Sequence, residues 1–472
     1  MIRRPRPVGR QGILPFVIEL GEDEQVTARA GLPLLVEALR AVRLDEEVNQ
    51  RLAVGRRDRV YTTLEKLEAL VLLVAAGGDR IEDIRILSDD KGLLRLLDRT
   101  LPSPDALLDF LGSFDDPDAF ALRPADEESF VPPENEALQA LGEVLRSSVA
   151  RIAPPDADAA TIDHDGTIIE SHKRGVRMAY EGTRGYQPLV AVWAEQDLVV
   201  ADEFRDANVP GGKDPLSSVK RAFEALPTTV THRYFRGDSA DYYQPLLQYL
   251  EREQIGFAIS ADMSTELRAV CTAVHEAGWT ELDIREHEHV HIAEVEFTPG
   301  NWHKNARPLR YIALRFTPRQ QELYDTVGRR FHAVVTHRHD LPADALVRWH
   351  RGKAGTIEHV HRTFKDELGA AILPSQRFGA NAAWFRINAL TYNLLTLLRR
   401  HALPERFRRA RPKRVRFELF TLPARLIQHQ RQITVRLCAS PERTDEIIAA
   451  RRWLLARHAA GAAPKAPGTL PA

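Results

Sequence analysis

Cysteine is almost missing: Cys271 and Cys438 are the two in 472 residues. That leaves no disulfide framework and no cysteine-based zinc site, and it makes a reducing cytoplasm the expected compartment. No run approaches the ~18 apolar residues of a membrane span. The first residues, MIRRPRPVGRQG, carry no apolar signal core. A soluble, cytoplasmic, non-exported chain without a membrane partner is therefore expected. A G-x-x-x-x-G-K-[ST] phosphate loop and a dinucleotide fingerprint are both absent, so the sequence gives no support to nucleotide-driven chemistry. Low-complexity runs are also lacking. What remains is globular, 44% hydrophobic and 28% charged, and long enough for two to four domains around a sizeable core.

The net charge of −1 conceals an asymmetry. Asp105 to Glu143 is dominated by acids. Between Arg399 and Arg436 stand twelve cations, Arg408, Arg409, Arg411, Lys413 and Arg414 among them, against Glu405 and Glu418 alone. Such a distribution suggests a C-terminal region facing a polyanion, or else a solvated charged face. A basic arm, Arg3, Arg4, Arg6 and Arg10, opens the chain.

From 13 to about 152 the periodicity is helical. Thr62-x-x-Glu65 is a capping box before LEKLEALVLLVAAGG, and Ser103-Pro104 opens a second helix. Short helices with tight turns suit a helix-turn-helix-like module, and suit many unrelated helical domains as well. At 160 the period changes. ATIDHDGTII (160–169), YQPLVAVWA (186–194) and LVVADEF (198–204) read as a meander of strands. A helix at about 215–225, the strand THRYFRGD ending at Asp238, a helix and the strand IGFAIS follow. The core is thus α/β, with mixed strand directions. HVHIAEVEF, LRYIALRF and FHAVVTH make 262–345 a mostly β insertion. Next comes a helix bearing Glu358, His361, Arg362 and Lys365, with Gly369 as its stop. A long helix, Asn381 to Arg400, presents Trp384, Ile387, Leu390, Leu394 and Leu397 near one face.

Asp165 and Asp238 close predicted strands, where an open α/β sheet presents ligands. Glu358 comes from a later helix. Three such carboxylates could cage two hard divalent cations for two-metal-ion chemistry, since magnesium prefers oxygen donors and keeps several waters. Alternation puts Asp163 on the same strand face as Asp165, so Asp163 is a rival. His287, His289 and His291 alternate along one strand, as a polar face or a transition-metal site. Trp302 either packs or stacks on an unpaired base.

The blocks TIDHDGTIIESHK, YEGTRGYQPLVAV, FRDANVP, RGDSADYY and KAGTIEHVHRTFKDELGA…LPSQRFGANAAWFRINALTYNLL, in this order, resemble the DDE transposases of bacterial insertion sequences. The likeness is to the group 1 type, whose RNase H-like catalytic domain is interrupted by a β-rich insertion before the Glu. It covers about 160–400, and the helical part before it more loosely. The resemblance implies Asp165, Asp238 and Glu358 as catalytic metal ligands, Mg2+ as cofactor with Mn2+ as a possible substitute, and Asp165 over Asp163. It also implies Lys365 facing DNA phosphate, with Lys173 and Tyr186 reaching DNA. In related families an Arg lies four positions before the Glu and a Tyr seven before. Ala354 and Arg351 stand there, so Arg351 and Lys353 are the nearest cations for phosphate, alongside Arg362.

The expected organisation is a flexible basic arm (1–12), a helical DNA-binding region (13–152), the first part of the core (153–261), the β-rich insertion (262–345), the second part of the core (346–401), a basic region (402–458) and a disordered tail (459–472). The function implied is metal-dependent cleavage and strand transfer at the terminal inverted repeats of an insertion sequence, with target DNA as second substrate and a homodimer on DNA. An RNase H-like nuclease or resolvase without strand transfer, and an inactive DNA-binding protein, are the alternatives.

Overall fold

The computed structural model describes residues 25–52, 60–124, 128–173, 175–179, 181–300, 302, 309–318, 329–430 and 432–462. The basic arm lies outside them. In chain order the first elements are β1 (Val26–Thr27), α1 (Leu34–Ala41), α2 (Leu44–Arg51), α3 (Thr63–Ala76), α4 (Ile84–Ser88), α5 (Lys91–Leu97), α6 (Pro104–Gly112), α7 (Pro117–Ala121) and α8 (Glu136–Ile152). Their starts follow the capping signals. Glu65 N donates to Thr62 Oγ1 and Thr62 N donates to Glu65 Oε2, a closed capping box before α3. Ser103 caps α6 through Ala106 N, with Pro104 at the first helical position.

The strands β2 (Ala159–Gly166), β3 (Ile169–Glu170), β4 (Arg177–Met178), β5 (Arg184–Tyr186), β6 (Leu189–Trp193), β7 (Leu198–Glu203), β8 (His232–Gly237) and β9 (Gly256–Ser260) alternate with α9 (Pro215–Glu224) and α10 (Gln244–Arg252). After α11 (Thr265–Ala273) come β10 (Thr280–Ile284), β11 (Glu288–Phe297), β12 (Leu309–Pro318) and β13 (Arg330–Thr336). The main sheet runs β10-β11-β12-β13-β9-β8-β2-β6-β7. β2 pairs parallel with β8, and β8 with β9; every other pairing in it is antiparallel. These are the mixed directions expected of an RNase H-like core. The β-rich insertion adds to the core sheet instead of standing apart: β13 joins the edge of β9 through Thr336↔Ala258 and its neighbours.

The chain closes with α12 (Ala343–Arg351), α13 (Ile357–Glu367), α14 (Phe378–Leu397), α15 (Pro412–Val415), β14 (Ala424–His429), β15 (Gln432–Leu437) and α16 (Pro441–Ala462). Gly369, at φ +71°, terminates α13 as expected. α14 departs from expectation. It begins at Phe378, ends at Leu397 before a π-turn, and is buried along its whole length rather than on one face. A helix enclosed on all sides must pair its polar groups internally. Asn393 does so by bonding both backbone groups of Val199 on the edge strand β7, each at 2.9 Å. The first and last described elements pack together: β1 pairs with β14, and α1 packs on α16. Residues 459–462, expected to be disordered, are the last turn of α16; 463–472 lie outside the described residues. No helix among the described residues is long and apolar enough to cross a membrane.

Candidate active site

Parallel pairing of β2 with β8 brings the first two acids together. The register that sets Asp163 beside Arg236, continued by two residues, sets Asp165 beside Asp238. Asp165 is near the end of β2, and Asp238 follows β8 as the cap of a 3-10 turn, accepting from Ala240 N at 3.0 Å. Both carboxylates face Lys353 Nζ, at 3.2 Å for Asp165 and 4.0 Å for Asp238. Lys353 is buried, which opposes its charge. The fields of Asp165, Asp238 and Asp241 outweigh that burial and hold its pKa above the usual lysine value.

Asp163 is engaged differently. It is fully buried, and Arg236 grips both its oxygens, at 2.6 and 2.8 Å, while Thr356 Oγ1 donates to it as well. Every oxygen of Asp163 is thus committed to holding β2, β8 and the start of α13 together. Asp165 has only Gly166 N and Lys353 as partners among the described residues.

The segment between α12 and α13 is fastened to the strand ends at several points. Arg236 Nη1 donates to Trp349 O at 2.7 Å, and His350 Nε2 donates to Gly237 O at 3.0 Å. Burial pushes the His350 pKa down to about 4, so the ring is a neutral donor at pH 7. Beneath Asp238, Asp241 accepts from His164 Nδ1 at 2.8 Å, and the other ring nitrogen meets Ser218 Oγ at 3.2 Å. This buried chain pins the turn carrying Asp238 to the strand carrying Asp165. Gly237 is required there, because a Cβ would lie 2.5 Å from Asp241 Oδ2.

Glu358 stands on the exposed side of α13. No group of three or more His, Cys, Asp or Glu among the described residues could hold a metal ion. Two of the three expected ligands therefore converge. Their donor set fits one hard cation, because two carboxylates facing one point suffice for an ion that keeps several waters. His361, on the inner side of α13, is buried with Nε2 unbonded among the described residues, and burial together with Lys365 and Lys353 pushes its pKa down to about 3.

The cations expected to face DNA divide. Arg362 is exposed; Lys365 is partly buried, and burial lowers its pKa. Arg351 lies 3.9 Å from Asp283, and Lys173 is half-buried without an ion-pair partner among the described residues. Lys353 points into the acid pair rather than outward. Arg408 meets Glu405 at 3.5 Å, Arg411 meets Glu367 and Arg414 meets Glu418 at 2.7 Å. The side chains of Arg409 and Lys413 have no such partner among the described residues. Tyr186 is buried against Phe204 and Phe378, and burial raises its pKa to about 12, so it cannot face DNA as it stands. Trp302 packs on Tyr242 at 5.7 Å, and His289 pairs with Glu281 at 3.1 Å.

Sequence reasoning missed Lys353 as an inner residue, along with Arg236, His350 and the His164–Asp241 pair. A partial signal existed: His164 and Asp241 lie inside the same blocks as the acids.

Residues 20–456 match the family described as transposase DDE domain group 1. No curated protein matches the chain. Among solved structures, the piggyBac transposase synaptic complex with hairpin DNA is similar at 11% identity and a TM-score of 0.46, over 94% of this chain and 88% of that one. On the family match, which spans nearly its whole length, the chain belongs to the DDE transposases of group 1.

Proposed function

We propose that this DNA transposase cleaves at the terminal inverted repeats of its own insertion sequence and joins the freed ends to target DNA, in the cytoplasm, as a homodimer on DNA. The observation that carries the reading is the convergence of Asp165 and Asp238, from adjacent parallel strands, on a single cation. Asp165, Asp238 and, on the family motif, Glu358 would hold Mg2+, with Mn2+ as substitute. The ions would polarise phosphoryl oxygen and lower the pKa of the attacking water.

The chain's own residues do the positioning. Arg236, bridging Asp163 and Trp349 O, locks the helical segment over the strand ends. His164 and Asp241 fix the turn that aims Asp238. Arg362, Lys365, Arg409 and Lys413 would take DNA phosphates, and Arg351 and Lys173 would lie beside them. Joining two element ends requires two active sites, which is why a dimer is expected.

The test is incubation of the purified protein with Mg2+ and paired end DNA. A released 3′-OH followed by joined products supports the proposal. Hydrolysis without joining would reassign the protein as a nuclease.

A further inference from the structure

Lys353 keeps only 10% of its side-chain exposure, yet the carboxylates it faces keep 24% for Asp165 and 45% for Asp238. An ammonium is a compact point charge and cannot fork across two acids as a guanidinium does. Burying it unpaired would be strongly disfavoured, so the turn Gly352–Gly355 stays docked through the charge of the aspartates. The neutralisation is incomplete: two carboxylates face one ammonium, and Asp241 adds a further negative field. Nζ has no other ion-pair partner among the described residues. The turn is short and bounded by glycines, and a Cβ on Gly355 would meet nothing within 4 Å, so there is open space beside it.

We propose that Lys353 is a displaceable placeholder: it neutralises Asp165 and Asp238 in the metal-free chain, holds them at one point, and gives up that point to a divalent cation. The proposal rests on the assignment of those aspartates as metal ligands. A divalent ion balances both carboxylates where the ammonium balances one, and it takes hard oxygen donors directly. The ammonium that leaves moves towards the open side of the turn.

Two measurements on the full chain test this. In the wild-type protein, labelling of lysines with acetic anhydride, read by peptide mass spectrometry, reports access to Lys353 Nζ. Labelling at Lys353 rises several-fold on adding Mg2+, over the concentration range in which calorimetry shows Mg2+ binding. By calorimetry, Lys353→Met, which keeps the apolar stem, binds Mg2+ about tenfold more tightly, equivalent to ~1.4 kcal/mol. Lys353→Arg does not share that gain. Unchanged labelling with Mg2+ bound, or a Met variant that binds no more tightly, overturns the placeholder and leaves the metal site standing. No Mg2+ binding by either protein overturns both. The wild-type labelling is independent of whether the variant folds.

Discussion

Two places in this chain set one cation between two acids. Arg386 lies between Asp202, at 2.8 Å, and Glu134, at 2.6 Å, and also donates to Leu138 O at 2.6 Å. Lys353 lies between Asp165 and Asp238 at longer range, 3.2 and 4.0 Å. In the first cluster a planar fork gives directed bonds to fully buried Asp202 and to partly exposed Glu134, and burial of Asp202 is answered by a guanidinium that cannot lose its proton. In the second a point charge faces acids that remain partly wet. The first is a clamp joining α8, β7 and α14; the second is a site where one cation can be exchanged for another. The cation's shape and the directness of its bonds distinguish them, not net charge.

The largest contrast is in catalysis. Asp165→Asn, Asp238→Asn or Glu358→Gln should lower DNA cleavage about a thousandfold or more, as expected when several kcal/mol of metal-borne charge stabilisation is lost. End-DNA binding should barely change in any of the three, and Glu358→Gln should also leave the melting temperature nearly unaltered. Retained cleavage in any of the three would remove that residue from the site. Asp163→Asn, by comparison, should reduce activity partially and lower stability, because it loosens Arg236.

The reverse pattern is expected at the clamp. Arg386→Met strands Asp202 in the interior beside partly exposed Glu134 and should cost about 3–5 kcal/mol in denaturant unfolding. A loss well under 1 kcal/mol would mean that Asp202 and Glu134 find other partners.

Asp206 is intermediate. Burial raises its pKa to about 6, against the opposing pull of Arg123 and Arg177. The folded chain then binds a proton more readily than the unfolded chain from about pH 4 to about pH 6. Its contribution is present in full below about pH 4 and is lost as pH rises through about 6, on the order of 2–3 kcal/mol. Asp206→Asn should flatten the stability profile in that window; an unchanged profile would place the titration elsewhere.

The smallest effect separates bound from free arginines. Arg425 and Arg436 sit opposite each other on β14 and β15, exposed, with no acidic partner among the described residues. If they meet phosphate, each replacement by Ala should flatten the log–log salt dependence of DNA affinity by about 0.9. Arg411→Ala, which breaks the bond to Glu367, should leave that slope unchanged and lower the melting temperature.

The sequence showed the local and periodic features well. Thr62 and Glu65 announce α3, Gly369 ends α13, and strand alternation around Asp165 and Asp238 places both at strand ends. What it hid were partnerships across the fold. Arg236 reaches Asp163 over 73 residues, and Arg399 pairs with Asp197 over 202. Such distances make a basic run look free when Arg399 and Arg411 are already paired with acids far back in the chain. Lys353 was hidden for a related reason. Its neighbours Gly352, Ala354 and Gly355 carry no apolar pattern that would signal burial, and its partners arrive only when β2 and β8 pair. The extension of the core sheet by β13 likewise depends on a pairing that no local pattern announces.

The central claim is that Asp165 and Asp238 mark the point a divalent ion occupies. Iron(II) bound in place of Mg2+, with ascorbate and peroxide, generates hydroxyl radicals that cut the polypeptide beside the metal. The account predicts breaks near 165, near 238 and within 353–358, suppressed by excess Mg2+ and lost in Asp165→Asn. Breaks elsewhere, or breaks at these places that persist in Asp165→Asn, would contradict it.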